Sequence, residues 1–184
     1  MTTAAARTRP RMTVGEFLGW TGEQADDELV AGVPVRLMAP SNIRHARIQR
    51  NVSATLRGAI AATGLSCEVF DAGPGVAVGL DGDECRIPDL VVTCASAIDE
   101  TARLVPEPTI VVEVASPSTR LADVNTSVQH YLVIEQDRRR VYHDRGPSGG
   151  LEPRILREGE IALDPPGIRL VLHDLYRDTE LAAP

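Results

Sequence analysis

The chain has 184 residues, 43% of them hydrophobic and 24% charged, which suits one soluble globular domain with a substantial core. A formal charge of −7 argues against tight, nonspecific binding to a phosphate backbone, although metal ions can offset local negative charge at a nuclease site. No apolar run is long enough to cross a bilayer.

The opening "MTTAAARTRPRM" lacks the apolar stretch of a secretory signal and reads as a frayed tail over residues 1–11, with one domain over 12–184. Thr13 with Glu16 three residues later forms a capping-box pattern, so "TVGEFLGW" starts as a helix. "DELVAGVPVRLM" reads as two short strands joined at Ala31-Gly32, an N-terminal β-hairpin. The clearest helix runs from Ser41, as its cap, to Gly64, with Ile48, Val52, Leu56, Ala59 and Ile60 at helical spacing. Arg44, Arg47, Arg50 and Arg57 point away from that stripe, as a solvated face or as a row for nucleic acid. His45 falls on the apolar side.

Strand-like segments follow in "SCEVFDAG", "GVAVGL" and "CRIPDLVVTCA", with an Asp-Gly turn before the last. "PEPTIVVEVASPST" reads as a largely buried strand ending in a Ser/Pro turn. "LADVN" offers a very short helix, "VQHYLVIE" a further strand, and "RRRVYHDRG" an exposed strand or hairpin arm. "PSGG" is a flexible turn, and "GIRLVLHDLY" a last strand leading into a short helix. An early helix, many strands and few crossover helices make an α+β or mixed-sheet α/β protein. Cys67, Cys85 and Cys94 are odd in number and lack CxxC spacing, which fits free thiols in a reducing cytoplasm better than a zinc site.

Two acids stand out. Asp89 heads "PDLVV", and Glu113 lies inside the apolar run "TIVVEVA". A carboxylate in such a run must be paired, protonated or bound to a cation, because burying a lone charge costs several kcal/mol. If the two strands are neighbours, Asp89 and Glu113 come side by side and offer the minimum site for Mg²⁺ or Mn²⁺. The alternative is a structural acid paired with an arginine such as Arg86 or Arg120. There is no P-loop, no dinucleotide GxGxxG and no HExxH. No Gly-x-Ser-x-Gly elbow frames Ser116 or Ser118, which argues against a nucleophilic triad with His130 or His143.

"RIPDLVV" followed by "PEPTIVVEVASPSTR" resembles the Uma2 family, also called DUF820, of the PD-(D/E)XK restriction-endonuclease-like superfamily. "DELVAGVPVRLMAPSNIRHARIQRNV" and "HYLVIEQDRRRV" extend the resemblance over residues 12 to 178. It implies a mixed central β-sheet flanked by helices, a Mg²⁺- or Mn²⁺-dependent endonuclease acting on DNA in the cytoplasm, and a chain able to form homodimers. It assigns Asp89 and Glu113 as metal-binding carboxylates, with the backbone carbonyl of Val114 as a further ligand. It also makes Glu28 and His45 residues that could line the site; the alternative for each is structural, for His45 a buried and hydrogen-bonded imidazole.

The chain departs from the superfamily pattern at one point. A lysine is asked for two residues after the second acid, where Ala115 stands, and all 19 basic residues are arginine. Uma2-like sequences often carry that lysine in the helix after "SPST". Here the segment from Asp123 to Tyr131 has room for about two helical turns, with Asn125 or Ser127 where the lysine is expected. Arg120 is the nearest substitute in sequence; it can stabilise an anion but does not act as a base. The second reading is therefore a catalytically degenerate member of the same fold, serving as a dimeric binding module.

Overall fold

The computed structural model of the chain describes residues 11–20, 27–36, 41–78, 82–115, 128–146 and 154–182. The expected tail over 1–11 lies, apart from Arg11, outside the described residues. So does the whole segment 116–127, with Arg120, Asn125, Ser127 and the short helix anticipated there.

Helix α1 (Val14–Gly19) starts with the capping box read from the sequence: Thr13 caps the Glu16 amide, and the Glu16 carboxylate returns to the Thr13 amide at 2.8 Å. Strands β1 (Asp27–Val30) and β2 (Val33–Arg36) form the expected hairpin. Its turn places Ala31 and Gly32 at φ 47° and 75°, the paired left-handed conformations of a tight two-residue hairpin. Helix α2 (Ile43–Thr63) buries Ile48, Val52, Leu56 and Ile60 and ends at Gly64 with φ 69°. Its cap is Asn42 rather than Ser41, since the Asn42 side chain takes the His45 amide at 2.9 Å.

Strands β3 (Glu68–Asp71), β4 (Val76–Val78), β5 (Glu84–Arg86), β6 (Leu90–Thr93) and β7 (Pro108–Ala115) follow. Then come β8 (His130–Glu135), β9 (Val141–Arg145), β10 (Arg154–Leu156), β11 (Glu160–Leu163), β12 (Ile168–Val171) and the short α3 (Leu172–Leu175). Six strands form the central sheet in the order β10-β9-β8-β7-β6-β3. It is a mixed sheet: β7 and β8 run parallel and the other pairs antiparallel. A smaller sheet, β2-β1-β5-β4, carries the N-terminal hairpin, and β11 pairs with β12. The expected mixed α+β architecture is what the chain adopts.

One face of the central sheet packs Ile110, Val112 and Val114 of β7 against the apolar stripe of α2 and the C-terminal hairpin. The opposite face gathers Val111 and Ala115 with Val76, Val91, Tyr131 and Tyr142. Glu113 belongs to this second face by strand alternation. No helix among the described residues is long and apolar enough to cross a membrane.

Three expectations need correction. The "RRRVYHDRG" arm is not exposed: β9 lies between β8 and β10, and Val141, Tyr142 and His143 are buried. Strands β10 and β11 were not anticipated, because each is short and set among charged residues. Cys67 and Cys94 are not free thiols but form a disulfide. The β3–β6 register explains it: Glu68 pairs with Thr93, so the residues one step beyond meet across the strands. Only Cys85 among the cysteines is free, and it is buried.

Candidate functional site

Antiparallel pairing of Leu90 with Val112 places Asp89, one residue before β6, opposite Glu113. The two acids therefore lie across from each other at one end of the central sheet, and the charge of Asp89 acts on Glu113. Asp89 is held by two groups. Its Oδ2 accepts the Val114 amide at 2.7 Å, and its Oδ1 lies 3.0 Å from His45 Nε2. Its carbonyl also accepts from Gln49 of α2 at 3.2 Å. The Asp89 and His45 side chains are only 17% and 15% exposed, so this pair is a shielded contact rather than a surface one. The first turn of α2, fixed by its Asn42 cap, thus delivers His45 to Asp89.

Glu28 reaches the same region from β1. Its carboxylate accepts the Ile87 amide at 2.9 Å and pairs with Arg86 at 3.3 Å. Arg86 also approaches Glu84 at 3.5 Å. Glu28 and Arg86 therefore fix the stretch 86–88 that leads straight into Asp89. The arginine weighed as a partner for the two site acids is committed to Glu28 and Glu84. Glu28 thereby holds the loop through the Ile87 amide and Arg86.

Glu113 has no such clamp. Among the described residues no side chain forms an ion pair with it. Burial pushes its carboxyl well above the usual range, and the neighbouring charges of Asp89 and then Glu28 push it further. The Asp89 amide and Arg86 act in the opposite sense and do not compensate. A cation between the carboxylates would reverse the balance, and hard anionic oxygens are the donors Mg²⁺ and Mn²⁺ prefer. Among the described residues no group of three or more His, Cys, Asp and Glu side chains is gathered to hold a metal. What the site offers is a two-carboxylate platform, the kind on which Mg²⁺ keeps several waters and takes its remaining ligands from substrate. Val114 meets Asp89 through its amide.

Other residues singled out in the sequence lie elsewhere. His130 and His143 are buried and bonded to each other at 2.8 Å; His130 Nε2 donates to the Pro165 carbonyl at 2.8 Å. Ser116 and Ser118 lie outside the described residues. The arginine row on α2 is tied down internally: Arg44 to Glu180 and Asp137, Arg50 to Asp178, Arg57 to Asp71, and Arg47 to the Asp178 carbonyl. Two site neighbours escaped the sequence reading. Gln49 is a polar residue one turn beyond His45, a signal that was available. Tyr131 reads as ordinary core, and only its unpartnered hydroxyl marks it out.

The Uma2 family model, described as "Putative restriction endonuclease", matches residues 14–174. A crystal structure from Anabaena variabilis ATCC 29413, described as "a putative nuclease belonging to DUF820", aligns with a TM-score of 0.69 at 18% identity. The alignment covers 90% of this chain and 97% of that one, and at this identity it shows a shared fold. None of the curated proteins matches. The family match spans nearly all of the described fold, including Asp89, Glu113, Glu28 and His45, and the chain belongs to the Uma2 family.

Proposed function

We propose that the protein is a Mg²⁺- or Mn²⁺-dependent endonuclease that hydrolyses DNA phosphodiester bonds at the end of the central sheet. The observation that carries this reading is the opposition of Asp89 and Glu113, with Glu113 left without a cationic partner among the described residues. These two carboxylates would hold the cation, with the Val114 carbonyl as a further oxygen donor. A divalent cation at such a site polarises a phosphoryl oxygen and lowers the pKa of a water. His45 and the Val114 amide fix the two oxygens of Asp89, so the carboxylate is oriented before any ligand arrives. Glu28 and Arg86 hold the loop that presents Asp89.

The chain supplies no lysine to stabilise charge developing on the phosphate. Losing one such group typically lowers a rate by about 10² to 10³, so turnover is slow. The test is supercoiled plasmid incubated with purified protein and Mn²⁺ or Mg²⁺, beside the Asp89→Ala variant. Nicking by the wild type that disappears in the variant supports the assignment. Cleavage that survives Asp89→Ala rejects it.

One observation favours a second reading. Ala115, a buried methyl group, stands where the superfamily pattern places its lysine, so that position supplies no cation. A degenerate member that keeps the fold and acts as a dimeric binding module would show neither divalent-metal uptake nor cleavage.

A further inference from the structure

The residue that stands out beside the carboxylates is Tyr131. In the parallel β7–β8 pair, Val111 lies beside Tyr131 and Glu113 beside Val133. Alternation puts Tyr131 and Glu113 on the same face, one step apart on the diagonal, a gap an aromatic side chain can span. The ring packs with Val91, Val111 and Val133 and is 4% exposed. A buried ring in such company is ordinary core.

Its hydroxyl is not ordinary. A buried tyrosine normally finds a partner for its O–H. The chain has three tyrosines, and two conform. Tyr142 Oη donates to Glu135 and accepts from Arg140, and Tyr176 Oη donates to the backbone carbonyls of Glu135 and Arg140. Tyr131 Oη has no hydrogen-bond partner among the described residues. Besides burial, the charges that act on it are led by Glu113, followed by Arg86, Asp144 and Glu28. A phenylalanine here would fill the same space without the desolvation cost, so the hydroxyl needs another explanation.

We propose that Tyr131 is a positioning residue whose O–H holds the Glu113 carboxylate, directly or through one water, in the cation-loaded protein. This rests on the divalent-cation reading given above. An ionised carboxylate is an acceptor only, and each oxygen not on the cation needs a donor. Arg86, the cationic side chain that acts on Glu113, is engaged by Glu28 and Glu84. The phenol is the uncommitted donor on that face among the described residues. A donor that hydrogen-bonds a ligating carboxylate from behind orients it and raises the affinity of the site.

Tyr131→Phe removes the hydroxyl alone. The full-length wild type and variant are compared by thermal melting without metal and by Mn²⁺ calorimetry. The metal-free variant is expected to melt no lower than the wild type, while binding Mn²⁺ about 10-fold more weakly, the equivalent of one hydrogen bond to a charged group. Equal Mn²⁺ affinity in the two proteins overturns the inference and leaves the cation reading standing. A lower metal-free melting temperature in the variant also overturns it, because the hydroxyl would then be bonded within the fold. A wild type that takes up no Mn²⁺ overturns the inference together with the reading beneath it.

Discussion

Glu113→Gln separates the cost of the site from its use. Glutamine keeps the shape of the side chain and one acceptor oxygen, and removes its charge. In the folded chain, burial, Asp89 and Glu28 raise the Glu113 carboxyl well above its ordinary value of 4.5. A carboxyl raised on folding leaves stability intact below the unfolded value and erodes it as pH climbs toward the folded one. Without metal at pH 8, the variant should therefore exceed the wild type by about 1–3 kcal/mol, the cost of an inadequately partnered buried group. For a chain of this length each kcal/mol moves the melting temperature by about 2–4 °C. The two proteins should converge below pH 4.5, where Glu113 is protonated folded or unfolded. Mn²⁺ should close or reverse that gap at pH 8. Ligand at 100 times its dissociation constant adds about 2.7 kcal/mol to a protein that binds it, and the variant should gain little. Urea unfolding in EDTA and in Mn²⁺ at pH 8, and in EDTA about one unit below the ordinary carboxyl value, reads these differences. The reasoning fails if the variant is the less stable protein at pH 8 in EDTA, or if both proteins gain equally from Mn²⁺.

The buried histidine pair predicts acid sensitivity of the opposite sign. Burial first, then His130, pushes His143 from 6.5 down to about 4, so its contribution is present above pH 6.5 and lost as pH falls toward 4. Between pH 7.5 and 4.5 that amounts to about 2–3 kcal/mol, at 1.36 kcal/mol per pKa unit. Urea unfolding of His143→Gln at the two pH values should show a loss smaller by that amount, and an equal loss in both proteins would refute it. The Cys67–Cys94 disulfide, with a sequence separation of 27, closes a loop worth about 3–4 kcal/mol in the chain-entropy picture. Dithiothreitol should lower the melting temperature by roughly 10 °C in the wild type and leave a Cys67→Ser, Cys94→Ser double variant unmoved. A melting temperature indifferent to reduction would contradict this.

Much of the frame was legible because local signals agree with the tertiary structure. The α2 stripe, Gly64, the Thr13 capping box and the Ala31-Gly32 turn each depend on residues within a few positions of one another. The cap of α2 shifted from Ser41 to Asn42 because two capping residues stand side by side. The opposition of Asp89 and Glu113 was legible on one condition, that β6 and β7 are neighbours, and they are. Periodicity alone did not tell which face of β7 carries Glu113, since both faces are apolar.

What escaped was set through space. Arg86 pairs with Glu84 of its own strand, and only the β1–β5 pairing also brings Glu28 to it. The arginines before β9 suggested an exposed strand, but they occupy the turn, while Val141, Tyr142 and His143 are covered by the strands on either side. Cys67 and Cys94 pair because of a register between β3 and β6 that no spacing rule encodes. Tyr131 could be recognised only by the partner its hydroxyl lacks among the described residues.

Anomalous diffraction from a crystal soaked in Mn²⁺ tests the assignment of the carboxylate pair more directly than any rate. One peak per chain, bridging the side-chain oxygens of Asp89 and Glu113, is the predicted result. A saturated crystal with no peak there, or with manganese only at positions remote from both residues, would contradict the account.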